Sequence, residues 1–211
     1  MGNLPLLELS NKIRQMARER GFECLFSSNP KVYFIEQVIE QLDVLEALFL
    51  WEQGLEHISG LVTGCFDILH PDQVEFLQAG KRKVQTLIVG VDRDETVRLK
   101  GPGRPIFNLR QRCEMLAALD CVDLVFPIPF ALGRYEESPE NATLFEALTD
   151  RLFNSTLPRQ GIHCLITNEA ADPFWREKKE RAEKLGVGYI GLNMERSTSS
   201  SQVATKIQTG G

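Results

Sequence analysis

The chain has 211 residues, enough for one domain of ordinary size with a modest appendage. A hydrophobic fraction of 43% beside 25% charged residues describes a globular protein, not a disordered or fibrous one. The net charge of −5 provides no basic field for bulk nucleic-acid binding, so any site for a polyanion must come from local clustering.

Residues 4–20 carry apolar side chains at helical spacing, including Leu6, Leu9, Ile13 and Met16, and Gly21 offers a stop. Asn29-Pro30 resembles a helix start, and Phe34, Val38, Leu42, Leu45 and Phe49 fall near one face of the run from Lys31 to Trp51. The expectation is an N-terminal helical extension over residues 1–57, joined to a domain over 58–211. The opening residues lack the basic and apolar regions of a signal peptide, and the apolar patch around VLEALFLW is too short to span a bilayer. Five scattered cysteines without a C-x-x-C pair argue against a zinc ribbon and fit a reduced, cytoplasmic setting.

From His57 the pattern changes. HISGLVTG reads as a buried strand ending at Gly64, followed by a helix from about Pro71 to Lys83 and a strand at 86–92. A looser segment with Gly101, Pro102, Gly103 and Pro105 comes next. An amphipathic helix over 108–120, which Asn108 can cap, then leads to a strand at 122–128. One helix is expected around 143–153. A strand at 162–167, a charged helix at 173–186, a strand at 187–192 and a serine-rich segment entering a final helix complete the chain. This alternation predicts an α/β fold: a mostly parallel sheet with helices on both faces.

Three places carry candidate chemistry. At the end of the first long strand, Gly64 permits close backbone approach, and the following helix start, with His70 at its head, favours anions. Residues 92–112 hold Arg93, Arg98, Lys100, Arg104, Arg110 and Arg112, a dense set of cations for an acidic chain. RSTSSSQ, 196–202, places hydroxyls at a helix start, where they can cap the helix or meet an anion. Each alone has a plainer reading, respectively packing, a solvated charged loop and simple capping.

Taken together, T-G-C-F-D-I-L-H (63–70), L-K-G-P-G-R-P with L-R-Q-R-C-E-M-L, and S-S-S-Q-V-A-T-K-I (199–207) resemble the cytidylyltransferase-like nucleotidyltransferases, the family marked by H-x-G-H. The match runs over most of 59–127 and again over 187–208. The nearest likeness is to the branch containing the adenylyltransferase domain of ADP-heptose synthase. The resemblance implies a Rossmann-like fold and transfer of a nucleoside monophosphate, AMP favoured over CMP, from an NTP to a phosphorylated small molecule. Pyrophosphate is released, Mg²⁺ comes with the NTP, and no tightly bound cofactor is expected. The implied partners are those two small molecules, with no nucleic acid and no membrane, in a chain that can form a homodimer.

Carried onto this chain, the resemblance makes His70, Lys100 and Arg112 the catalytic set. Gly64, Cys65, Phe66, Gln73, Arg104, Ser199, Ser200 and Ser201 become the nucleotide-binding residues, with Asp67 supporting them from behind. The chain departs from the pattern after His70, where Pro71-Asp72-Gln73 stands for x-G-H. An ionised Asp72 facing the nucleotide would oppose its phosphates, whereas one facing outward would suit the first turn of a helix. Gln73 can donate a hydrogen bond but cannot become cationic. A second departure is Thr167-Asn168-Glu169, where the ADP-heptose relatives have a lysine and two glycines. These changes leave open an impaired relative that binds a nucleotide or a protein partner. The absence of G-x-G-x-x-G after the first long strand, and of G-x-x-x-x-G-K-[ST], disfavours a Rossmann dehydrogenase and a P-loop NTPase.

Overall fold

The computed structural model describes residues 25–26, 33–34, 57–128, 130–133, 138–144, 146, 161–195 and 197–209. Within the expected helical extension, Leu25–Phe26 (β1) and Tyr33–Phe34 (β2) form a short antiparallel ribbon. Tyr33 and Phe34 were expected inside a helix. Bulky aromatic side chains suit paired strands at least as well, and here that preference prevails. His57, the last residue of the expected extension, opens the first long strand; the remainder of the extension lies outside the described residues, as do residues 145 and 147–153 of the helix expected around 143–153.

The main sheet has five parallel strands: β3 (His57–Gly64), β4 (Thr86–Val91), β5 (Leu124–Pro127), β6 (Gly161–Asn168) and β7 (Gly188–Leu192). Their order across the sheet is β5-β4-β3-β6-β7. Between them run α1 (Pro71–Lys81), α2 (Asp94–Arg98), α3 (Leu109–Ala117) and α4 (Trp175–Leu185), and α5 (Ser200–Thr209) closes the chain. The five-strand parallel sheet with its helices is the Rossmann-like α/β fold expected from the alternation. The short helix α2 was expected as part of a looser segment, since five residues are too few to show a period.

Continuous apolar runs make strands that can be covered on both faces. Leu87, Val89 and Val91 of β4 are fully buried, and they pack with Val62, Leu77, Leu116, Val125 and Ile166 in one core. Asn108 caps α3 through a capping box: its side chain accepts from the Gln111 amide, and the Gln111 side chain accepts from the Asn108 amide, both at 3.0 Å. Gly186 ends α4 in the left-handed conformation, φ 66°. Among the described residues, no helix is long and apolar enough to cross a membrane.

The strand order locates the functional end of the sheet. The chain leaves β3 toward β4 and β5, then returns to the other side of β3 through β6 and β7. The reversal opens a crevice beyond the carboxyl ends of β3 and β6, where α/β sheets bind ligands. Gly64 and Asn168 are the last residues of those two strands.

Candidate functional site

A cavity of about 540 Å³ occupies this crevice. One side is built by the turn from β3 into α1. Gly64, Cys65, Phe66, His70, Asp72, Gln73 and Phe76 line it, joined by Asp92 and Lys100 from the loops after β4. The other side is built by Ile166, Thr167 and Asn168 of β6, by Ala171, Asp172, Pro173 and Phe174 of the following turn, and by Lys178 of α4. Six of the eleven site residues chosen from sequence therefore share one cavity: Gly64, Cys65, Phe66, His70, Gln73 and Lys100.

The β3–α1 turn is held from behind. Phe66 has φ 47°, uncommon for a bulky side chain. Such a backbone persists only where its surroundings fix it. Asp67, fully buried, accepts hydrogen bonds from the amides of Ile106 (2.8 Å) and Phe107 (3.1 Å) and pairs with Arg104. The Cys65 thiol donates to Asp92 at 3.0 Å, and the Asp92 amide donates to the Gly64 carbonyl at 3.0 Å. Arg112, also fully buried, donates to the carbonyls of Cys65 (2.6 Å) and Phe107 (3.0 Å) and pairs with Asp94 at 2.8 Å. His70 stands at the N-cap of α1 and is 7% exposed, so the positive end of the helix faces the cavity beside its imidazole.

The cations of residues 92–112 do not act as one cluster. Arg93 donates to the Ile128 carbonyl at 3.1 Å. Arg98 pairs loosely with Glu95, and Arg110 with Glu114, on the surface. Arg104 and Arg112 are spent on the carboxylate pairs just described and do not line the cavity. Lys100 is exposed and does line it, carried by a turn in which Gly101 has φ 138°, a conformation that favours glycine.

The serine segment approaches from the far end of the chain, and its contacts answer where Asp72 points. The Asp72 carboxylate accepts from the Ser197 amide (2.7 Å), the Ser197 hydroxyl (2.7 Å) and the Thr198 amide (2.8 Å). The Ser197 hydroxyl first, then the Thr198 amide, hold its carboxyl below the ordinary aspartate value of 3.8. Asp72 thus lines the cavity while its charge is satisfied by the segment entering α5. The hydroxyls next along are also engaged: Ser199 accepts from the Gln202 amide at 3.1 Å, and Ser200 donates to the Ile68 carbonyl at 2.9 Å. The Ser200 carbonyl accepts from Arg104 at 3.3 Å, and Ser201 lies within α5.

The Thr167-Asn168-Glu169 departure is also built into the fold. The Asn168 side chain accepts from the amides of Ala170 (3.3 Å) and Met194 (3.1 Å) and donates to the Met194 carbonyl at 3.2 Å, tying the end of β6 to the residues after β7. Glu169 accepts from the Tyr189 hydroxyl at 3.3 Å. Burial first, and the Glu169 charge second, push that phenol up to about 12. Burial likewise pushes the Cys113 thiol to about 12 and that of Cys164 to about 11, so both remain protonated packing groups.

Residues 61–186, more than half of the chain, match the family described as Cytidylyltransferase-like. The chain belongs to the cytidylyltransferase-like family. The bifunctional protein HldE of Nitrobacter winogradskyi is 52% identical over 85 residues, which cover 39% of this chain and 17% of that protein. HldE of Halorhodospira halophila is 47% identical over 94 residues, covering 44% and 18%. The matched part thus spans less than a fifth of the length of these curated relatives. Among solved structures, a bifunctional NMN adenylyltransferase/ADP ribose pyrophosphatase from Francisella tularensis superposes with a TM-score of 0.54 at 14% identity, covering 73% of this chain and 43% of that one. The pantoate-beta-alanine ligase of the same organism gives 0.51 at 20% identity, covering 82% and 74%. These two structures share the fold.

Within this cytidylyltransferase-like domain, sequence reasoning missed Asp92, Asp172, Phe174 and Lys178 as cavity residues. The signal that could have found the last three is positional. They follow the carboxyl end of a strand beside the switch point, where ligand contacts concentrate.

Proposed function

We propose that this domain transfers a nucleoside monophosphate from an NTP to a phosphorylated small molecule, releasing pyrophosphate, with ATP favoured over CTP. The observation that carries this reading is the shared cavity at the switch point, with His70 at a helix N-terminus and Lys100 on a glycine turn opening onto it. The nucleotide would lie along Gly64, Cys65 and Phe66, and its phosphates would meet the positive end of α1. His70 donates a hydrogen bond to them, Lys100 neutralises charge on the α-phosphate or the acceptor phosphate, and Gln73 adds a neutral donor. Catalysis is then positioning plus charge stabilisation of an in-line displacement, with no covalent enzyme intermediate. Arg104 and Arg112 serve by fixing the loops that carry these groups, and the serine segment is the proposed seat of the outgoing pyrophosphate.

Mg²⁺ enters as the partner of the NTP. Among the described residues, no group of three or more His, Cys, Asp or Glu side chains could cage a metal. Mg²⁺ brought by a nucleotide would keep several waters and bind through phosphates plus one or two carboxylates. Asp92 is the carboxylate on the cavity wall beside Gly64. The adenine preference follows the resemblance to the adenylyltransferase branch.

One observation favours a second reading. Asp72 places a satisfied carboxylate where the serine segment would receive phosphate oxygens, which suits a domain that holds a nucleotide without turning it over. Pyrophosphate release, measured with each NTP across a panel of sugar and polyol phosphates, separates the two. Acceptor-dependent release, greatest with ATP, is the expected result. A nucleotide-induced rise in melting temperature without turnover would favour the second reading, and neither signal would remove both.

A further inference from the structure

We propose that Asp172 and Lys178 are the base-selecting pair of this site, an inference that rests on the proposed nucleotide binding. Lys178 projects from α4 and Asp172 from the turn before it. Their side chains are only 18% and 21% exposed, yet both line the cavity. The Lys178 ammonium lies 2.6 Å from Asp172 Oδ2 and 3.5 Å from the hydroxyl of Thr63, the residue before Gly64. Asp172 Oδ1 accepts from the Phe174 amide at 2.9 Å, which fixes the plane of the carboxylate.

Their surroundings decide what such a pair can read. Ile166, Ala171, Pro173 and Phe174 make the neighbouring wall apolar. His70 and Lys100, which suit phosphates, come from other elements, the start of α1 and the turn after α2. Asp172 offsets the charge of Lys178, so this end is a poor seat for an anion. It suits a flat heterocycle: apolar faces against the wall, and an edge meeting a fixed acceptor beside a fixed donor. The carboxylate can accept from an amino group or ring N–H, and the remaining ammonium proton can be donated to a ring nitrogen or carbonyl oxygen. Sites that hydrogen-bond a ligand in this way discriminate strongly, because a mismatched ligand leaves buried polar groups unpaired.

A purely structural role for the pair, stapling the β6–α4 turn to its helix, would affect every nucleotide alike. Affinities for ATP, CTP, GTP and UTP, measured on the full chain and on its Asp172→Asn and Lys178→Gln variants, distinguish the roles. The wild type is expected to rank the four bases over roughly ten- to a hundred-fold, the span that hydrogen bonds to charged groups supply. Each variant should compress that ranking while leaving the affinity for inorganic pyrophosphate, which probes the opposite end, unchanged. Lys178→Arg, which keeps the ion pair and guards against simple misfolding, should reorder the bases at an unaltered melting temperature. Equal weakening of all four nucleotides with their order intact, or a change confined to the acceptor's KM, would overturn the proposal. Failure of the wild type to bind any nucleotide would remove the proposed function itself, and is seen before any variant is made.

Discussion

At its β3–α1 end the cavity is walled by a strand–helix turn and a helix terminus, which carry His70, Asp72 and Gln73. At its β6–α4 end it is walled by side chains on an apolar turn. The first end arises mainly from one stretch, Gly64 to Phe76, joined by Asp92 and Lys100, so each substitution in that stretch changes the site directly: Asp72 brings a carboxylate, and Gln73 removes a potential cation. The second end is assembled from Thr63, Ile166 and residues 171–178, and carries a neutralised ion pair. The contrast teaches that this chain keeps a helix N-terminus open on the switch-point cavity while answering its altered motif from within, by seating the Asp72 carboxylate on Ser197 and Thr198.

The largest expected effect tests whether the first end is held from behind. Arg112→Ala removes a fully buried guanidinium, its pair with the partly exposed Asp94 and two hydrogen bonds to carbonyls, and should destabilise the fold by about 3–5 kcal/mol, the sum expected for two hydrogen bonds to a charged group. A wild-type melting curve would break the claim that Arg112 acts as the brace of the turn. Next, His70→Ala should reduce pyrophosphate release by about a hundred-fold or more, the scale of losing one donor aimed at developing charge. An unchanged rate would show that the phosphates lie elsewhere. The smallest effect concerns pH. Because the folded-state value of Asp72 is lowered, its contribution is fully present above the ordinary 3.8 and is lost as pH falls through the lowered value. The acid limb of a melting-temperature profile should therefore flatten slightly in Asp72→Asn, and an unaltered limb would show that the tie adds nothing to stability.

How much of this was legible in the sequence follows from range. The strands showed as apolar runs, and the α3 cap showed as Asn108, since strand runs and caps are properties of neighbouring residues. The family motif brought six site residues to one place because they lie at strand and helix ends. The destinations of the charged side chains did not show. Arg104 and Arg112 looked like phosphate ligands, but their carboxylate partners, the buried Asp67 and the partly exposed Asp94, become visible only when the chain is folded. Asp72 meets donors 125 and 126 residues away, so either orientation was consistent with a first-turn aspartate. Lys178 is one of many charges in the helix expected at 173–186, and only the folded turn after β6 reveals that it lines the cavity.

The most direct test of the account compares two ligands on two proteins. Adenosine carries no phosphate, whereas under the proposed function ATP would also engage the α1 and serine segments. Calorimetric titration of wild type and Asp72→Asn should show ATP binding tightened several-fold by the substitution, with adenosine binding unchanged. Equal changes for both ligands, or none for ATP, would contradict the claim that Asp72 occupies the phosphate end of this site.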